Sequence, residues 1–123
     1  YCDIKNISIS DVKDKAISVG EKSNVIVDIA EIDKVGIGIA VKDGSSATIS
    51  NSSIKSYTLY AAMTYDKKGF YEGESRLDIF NVGLEGDHPF AMQEQTKLLV
   101  DGVMVPEKNI DVRALYQTDE MSK

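Results

Sequence analysis

The sequence holds one cysteine, Cys2, and one histidine, His88, in 123 residues. A lone cysteine closes no internal disulfide, so packing must hold the fold and Cys2 is an ordinary free thiol. One Cys and one His fall short of the ligand set of a zinc site. His88 follows Asp87 and precedes Pro89. No nucleophile stands in a defined relation to it, so a turn residue is expected rather than a general base. The two prolines, Pro89 and Pro106, both suit strand edges or turns. No apolar run approaches the roughly 18 residues that cross a bilayer, so no direct membrane insertion is expected. No signal peptide is recognisable. The chain opens at Tyr1-Cys2-Asp3 without a Met and already looks like mid-repeat sequence. It reads as a fragment or matured domain.

Positive charge is also short. Twenty acidic residues face fourteen basic ones, for a net charge of -6. Phosphate recognition needs a clustered basic surface, so nucleic acid is disfavoured. An unaided anionic polysaccharide and an acidic membrane surface are disfavoured on the same ground.

A hydrophobic content of 42% supports a packed core, and the length suits one domain. The organisation of that core lies in an internal repeat. A shift of 22 lays Ala16-Ile17-Ser18-Val19 over Gly38-Ile39-Ala40-Val41, Ser23 over Ser45, Val27 over Ile49 and Ile32 over Ile54. A second shift of 22 brings Leu59, Ala61 and Met63 under Ile37, Ile39 and Val41. One six-residue phrase recurs, starting at Ile4, Val27, Ile49, Ile79 and Val100, with aliphatic residues first and sixth. Its third position is Asn6, Ile29, Asn51, Asn81 and Gly102. Asn and Gly tolerate left-handed backbone, so each phrase should turn a corner there, with Ile29 as the exception. Stacked Asn side chains should bond to one another's backbone as a ladder.

Alternating runs between the phrases (Ile17 and Val19; Ile37, Ile39 and Val41; Leu59, Ala61 and Met63; Phe90 and Met92) are half-buried strands. Strands this short bury a face only by stacking turn on turn. The expected fold is all-β: a right-handed, single-stranded parallel β-helix of four to five coils with a period near 22. Coils are expected over residues 1–106, with an insertion at 64–76, and a C-terminal cap and tail over 107–123. The N-terminal end has no recognisable cap, so upstream coils or another chain should cover it.

The runs from Asp14 to Ser23 and from Val35 to Asp43 resemble the right-handed parallel β-helix superfamily that includes pectate lyases. More narrowly, residues 3 to 105 resemble the terminal coils of bacterial cell-surface β-helix repeat proteins, some found with spore-coat-kinase-like domains; Tyr65-Asp66-Lys67-Lys68 with Phe70 is similar to an insertion of that group. The resemblance implies an extracellular or cell-surface setting and contact with carbohydrate. The superfamily's lyases and hydrolases use Asp clusters with Arg or Lys, often with calcium. No Asp-Asp pair, Gly-His-Gly or Arg-Ile-Lys element stands here, so no catalytic residue is assigned.

The candidate ligand-binding loop lies in the insertion: Tyr65, Lys67, Lys68, Phe70, Tyr71 and Arg76, aromatics for stacking on sugars beside charges for their hydroxyls. Calcium could find carboxylates in Asp11, Asp14, Asp28, Glu31 and Asp43, but no calcium-loop spacing occurs, and no cofactor is expected. Gly36-Ile37-Gly38 sits inside a strand and is a packing feature, not a phosphate loop. Asn6-Ile7-Ser8 and Asn51-Ser52-Ser53 fit the glycosylation pattern, yet ladder duty is the expected role of both asparagines.

The expected function is a non-catalytic extracellular module, scaffold or carbohydrate contact, with self-association through coil ends or edges as an assembly role. The alternative is the C-terminal part of a polysaccharide lyase, hydrolase or epimerase whose active site lies on upstream coils.

Overall fold

A computed structural model describes residues 2–65, 75–86, 89–92 and 96–104, which form an all-β parallel solenoid of about four turns. The strands are β1 (Cys2–Val19), β2 (Asn24–Lys42), β3 (Ser46–Tyr65), β4 (Arg76–Glu85), β5 (Phe90–Met92), β6 (Lys97–Val100) and β7 (Val103–Met104). They stack in the order β1-β2-β3-β4-β6-β7, with β5 on β3. All pairings are parallel except the last, where β7 folds back antiparallel on β6.

The long strands survive their own bends because each bend is confined to one or two residues of left-handed backbone. At the first corner these are Asn6, Ile29, Asn51 and Asn81, with φ between 52° and 59°, and then Asp101 and Gly102 at 50° and 82°. The expected corner is therefore where the structure turns, Ile29 included. Asp11, Lys34 and Ser56 repeat the device at a second corner, and Glu21-Lys22 and Asp43-Gly44 at a third. Each non-glycine residue there costs about 1–2 kcal/mol, least for Asn and Asp. Side chains offset part of that cost. Asn81 Nδ2 donates to Asn51 Oδ1 at 2.9 Å, and Asn51 Nδ2 donates to Asp28 Oδ1 at 3.0 Å. The ladder thus runs mainly from side chain to side chain, not to backbone as the sequence suggested. One backbone bond joins it, from Asn81 N to Asp101 Oδ1 at 3.2 Å.

Inside, Ile4, Val27, Ile49, Ile79 and Val100 form one column, each paired with the next. Ile9, Ile32, Ile54 and Leu84 form a second. The middle residues of both columns are at most 1% exposed. At the third corner the column turns polar. Ser45, Ser75 and Thr96 are buried, and each buried hydroxyl finds a partner. Ser45 Oγ accepts from Ser23 N at 3.1 Å, Ser75 Oγ accepts from Gly44 N at 3.1 Å, and the hydroxyls of Thr96 and Thr64 lie 2.7 Å apart.

One expected register is corrected. Ile37 and Ile39 pair with Tyr60 and Ala62, and Val41 with Thr64, not with Leu59, Ala61 and Met63. β3 carries an extra residue between Tyr57 and Tyr60, which shifts the register of the residues after it by one. Met63 consequently joins Ile37, Ala40, Tyr65 and Ala91 in a second buried cluster. Ala40 alternates with the inner Ile39 and Val41, so Ala40 and its stacked partners Met63 and Ala91 lie on the outer face. Leu84, expected in the inner column, packs there as a partly buried residue. The cap expected over 107–123 lies outside the described residues.

Ile39→Asp should abolish the strand signal in circular dichroism, because Ile39 is 0% exposed and an unpaired charge there costs several kcal/mol. Ile29→Asn should do the opposite. Ile29 is 43% exposed with φ 59°, so Asn relieves corner strain and should raise stability by about 1 kcal/mol, read as a higher melting temperature.

Candidate functional site

Of the six residues of the candidate loop, Lys67, Lys68, Phe70 and Tyr71 lie outside the described residues. Tyr65 is 0% exposed and belongs to the outer buried cluster, so its ring offers no open face to a ligand. Arg76 is exposed at the start of β4, with Nε 2.8 Å and Nη2 3.2 Å from the two carboxylate oxygens of Asp78. The insertion departs and returns at the third corner, where Ser75 Oγ donates to the Tyr65 carbonyl at 3.4 Å. Asp87 and His88 are also outside the described residues.

A different site emerges at the second corner. Between Val12 and Lys15 the chain takes three steps while β2 takes two, from Val35 to Ile37. On the other side of β2, Tyr57 to Tyr60 again takes three. Both neighbours therefore bulge past β2, which is left recessed. Gly36 makes the recess passable: a Cβ there would run into the Lys13 carbonyl oxygen and lie 2.9 Å from that of Asp14. Only a residue without a side chain lets the backbones approach this closely.

The outcome is a cleft of about 580 Å³ lined by Asp11, Val12 and Lys13 of β1, Lys34, Val35 and Gly36 of β2, and Ser56 and Thr58 of β3. It crosses three successive coils along the solenoid axis. Its apolar lining is Val12, Val35 and Gly36. Its rim carries one carboxylate (Asp11), two ammonium groups (Lys13 and Lys34) and two hydroxyls (Ser56 and Thr58). Lys13 and Lys34 are exposed and form no ion pair among the described residues, whereas Asp14 beside them is held by Lys15 at 2.8 Å. The site thus offers free ammonium donors and hydroxyls of both bonding senses, in a groove open to an extended ligand.

The carboxylates considered for calcium are spread around the coil. Asp28 receives Asn51 and Ser50 at the first corner, Asp14 pairs with Lys15, and Asp43 is buried at the third corner. Among the described residues, no group of three or more His, Cys, Asp or Glu could hold a metal ion. Asn51, the second glycosylation-pattern asparagine, has its amide engaged on both sides by the ladder.

The recess makes Gly36→Ala a test of the cleft. It should lower stability by about 1–3 kcal/mol, the usual cost of overpacking against unyielding neighbours. Gly83→Ala, where an added Cβ meets nothing within 4 Å, should shift the melting temperature little.

Comparison with protein-family models, with curated proteins and with solved structures gave no match. The cleft is therefore interpreted from its own chemistry.

Proposed function

We propose that this chain is a non-catalytic extracellular β-helix module that acts as a scaffold and contacts polysaccharide along its second corner. One observation carries the reading: the axial cleft over three coils, with the exposed ammonium groups of Lys13 and Lys34, in no ion pair among the described residues, beside the Ser56 and Thr58 hydroxyls. Coils of a solenoid repeat at the spacing of paired strands, about 4.8 Å. An extended glycan advances by a similar length per sugar, so successive sugars meet successive coils without strain. Lys13 and Lys34 donate to ring and hydroxyl oxygens, and the valines take the apolar faces of the rings. The likeness of the Asp14–Ser23 and Val35–Asp43 runs to pectate lyase-like coils favours a carbohydrate over other linear polymers. It also favours an exterior setting.

The test is retention of the chain on a panel of immobilised polysaccharides. Lys13→Ala with Lys34→Ala should weaken binding roughly fivefold, from two exposed contacts of about 0.5 kcal/mol each, with an unchanged melting curve. Phe70→Ala with Tyr71→Ala separates this surface from the insertion, and should leave cleft binding as it was. Absence of binding across the panel would remove the proposal. Release of shortened or unsaturated oligosaccharide would instead favour the polysaccharide-cleaving reading.

A further inference from the structure

The charge of the cleft changes from coil to coil. β1 brings Asp11 and Lys13 to it, β2 brings Lys34 alone, and β3 brings only the hydroxyls of Ser56 and Thr58. One carboxylate against two ammonium groups leaves the lining at +1, on a chain whose net charge is -6. All five side chains are exposed, and neither lysine is in an ion pair among the described residues. Lys15, two residues on, is already held by Asp14 at 2.8 Å.

The positive zone is short. Lys13 and Lys34 flank Gly36, whose missing side chain opens the recess. Asp11 bounds the zone on the first coil. Past the hydroxyls, the fourth coil brings the exposed Glu85, opposite Lys55 in the strand register. First and fourth coils lie about 14 Å apart at the spacing of paired strands. A polymer with an acidic group on every sugar would therefore set anions against Asp11 and Glu85, and against the acidic surface beyond. A wholly neutral polymer would leave both lysines without charge-assisted bonds, which are about twice as strong as neutral ones. A single acidic group over Gly36, with hydroxyls before and after it, gives each coil its complement. Sugar hydroxyls donate to Asp11, the anion accepts from the lysines, and Ser56 and Thr58 bond in either sense.

On the polysaccharide reading above, we infer that the cleft takes a mainly neutral polysaccharide carrying isolated anionic groups, one of which docks between Lys13 and Lys34 over Gly36. Carboxylate and sulfate share the chemistry this needs. Selectivity comes from the brackets as much as from the lysines: Asp11 and Glu85 limit the cleft to one such group at a time.

The experiment measures retention of the intact chain on a neutral β-glucan and a neutral galactan. Each is left unmodified, substituted sparsely and substituted densely, in a carboxymethyl and a sulfate series. Sparse forms should be held roughly fivefold more tightly than their neutral parents, as two exposed charge contacts allow, and dense forms should lose that gain. A gain in either series supports the inference, and the larger gain names the group. It should vanish near 1 M salt, where the Debye length is about 3 Å. Lys13→Gln with Lys34→Gln should bring sparse and neutral forms level. Asp11→Asn with Glu85→Gln should raise retention of the dense forms severalfold; Asn suits the left-handed backbone at position 11. Melting curves of both double variants check that the fold is intact. Sparse forms held no better than their parents, or dense forms held most tightly by the intact chain, would overturn the inference and leave the polysaccharide contact standing. Retention of no form at all would remove that contact, and the inference with it.

Discussion

A solenoid coil must change direction several times per turn and still pair every backbone N–H and C=O with the turns above and below. A loop at each corner would interrupt the ladder. A single residue in the left-handed region bends the strand and leaves both flanks in register, which is why β1, β2 and β3 continue for 18 to 20 residues. The device is strained for the eleven non-glycine residues that carry it and cheap for glycine, so the corners must be compensated locally. They are, at the first corner by the Asp28-Asn51-Asn81 ladder and at the third by stacked hydroxyls.

Fixed corners concentrate variation on the sides. The first and second corners are five residues apart in each of the three upper coils, at 6 and 11, 29 and 34, and 51 and 56. The side after the second corner has no such constancy, and both register shifts fall on it. A change of one residue there cannot be absorbed by the corners, so it appears as a bulge beside the shorter strand. The cleft is the geometric remainder of two such bulges flanking β2. Scaffold regularity and the candidate site are thus one phenomenon: the recess exists because everything around it is held in register.

These relations explain what could be seen in the amino-acid sequence and what could not. The columns were legible because Ile4, Val27, Ile49, Ile79 and Val100 lie at the same place in a repeated phrase, even across the longer third interval. The first corner was legible because four of its five positions are Asn or Gly. The second was not, since Asp11, Lys34 and Ser56 share no chemistry; only their left-handed backbone unites them. Alternation alone gave Met63 to the core interior, and the extra residue before Tyr60 inverted that assignment. Gly36 was the one local signal of the cleft, and it was seen as packing, which is what it does; that packing also makes an open groove required the strand register on both sides.

The outer cluster sharpens the point about alternation. Period-2 patterning presumes that one face of a strand is wet, yet Ala40, Met63 and Ala91 are buried opposite residues that are also buried. On that side the β2 run Ile37-Gly38-Ile39-Ala40-Val41 is covered on both faces, as a strand in a layered core would be. The second corner, by contrast, keeps its outer face in solvent over the same coils, with Lys13, Lys34 and Ser56 exposed. A solenoid with one thickened side and one open corner has a preferred direction for contact. Any ligand that tracks the axis meets the open corner, and the thickened side supplies the rigidity that keeps its lysines one coil apart.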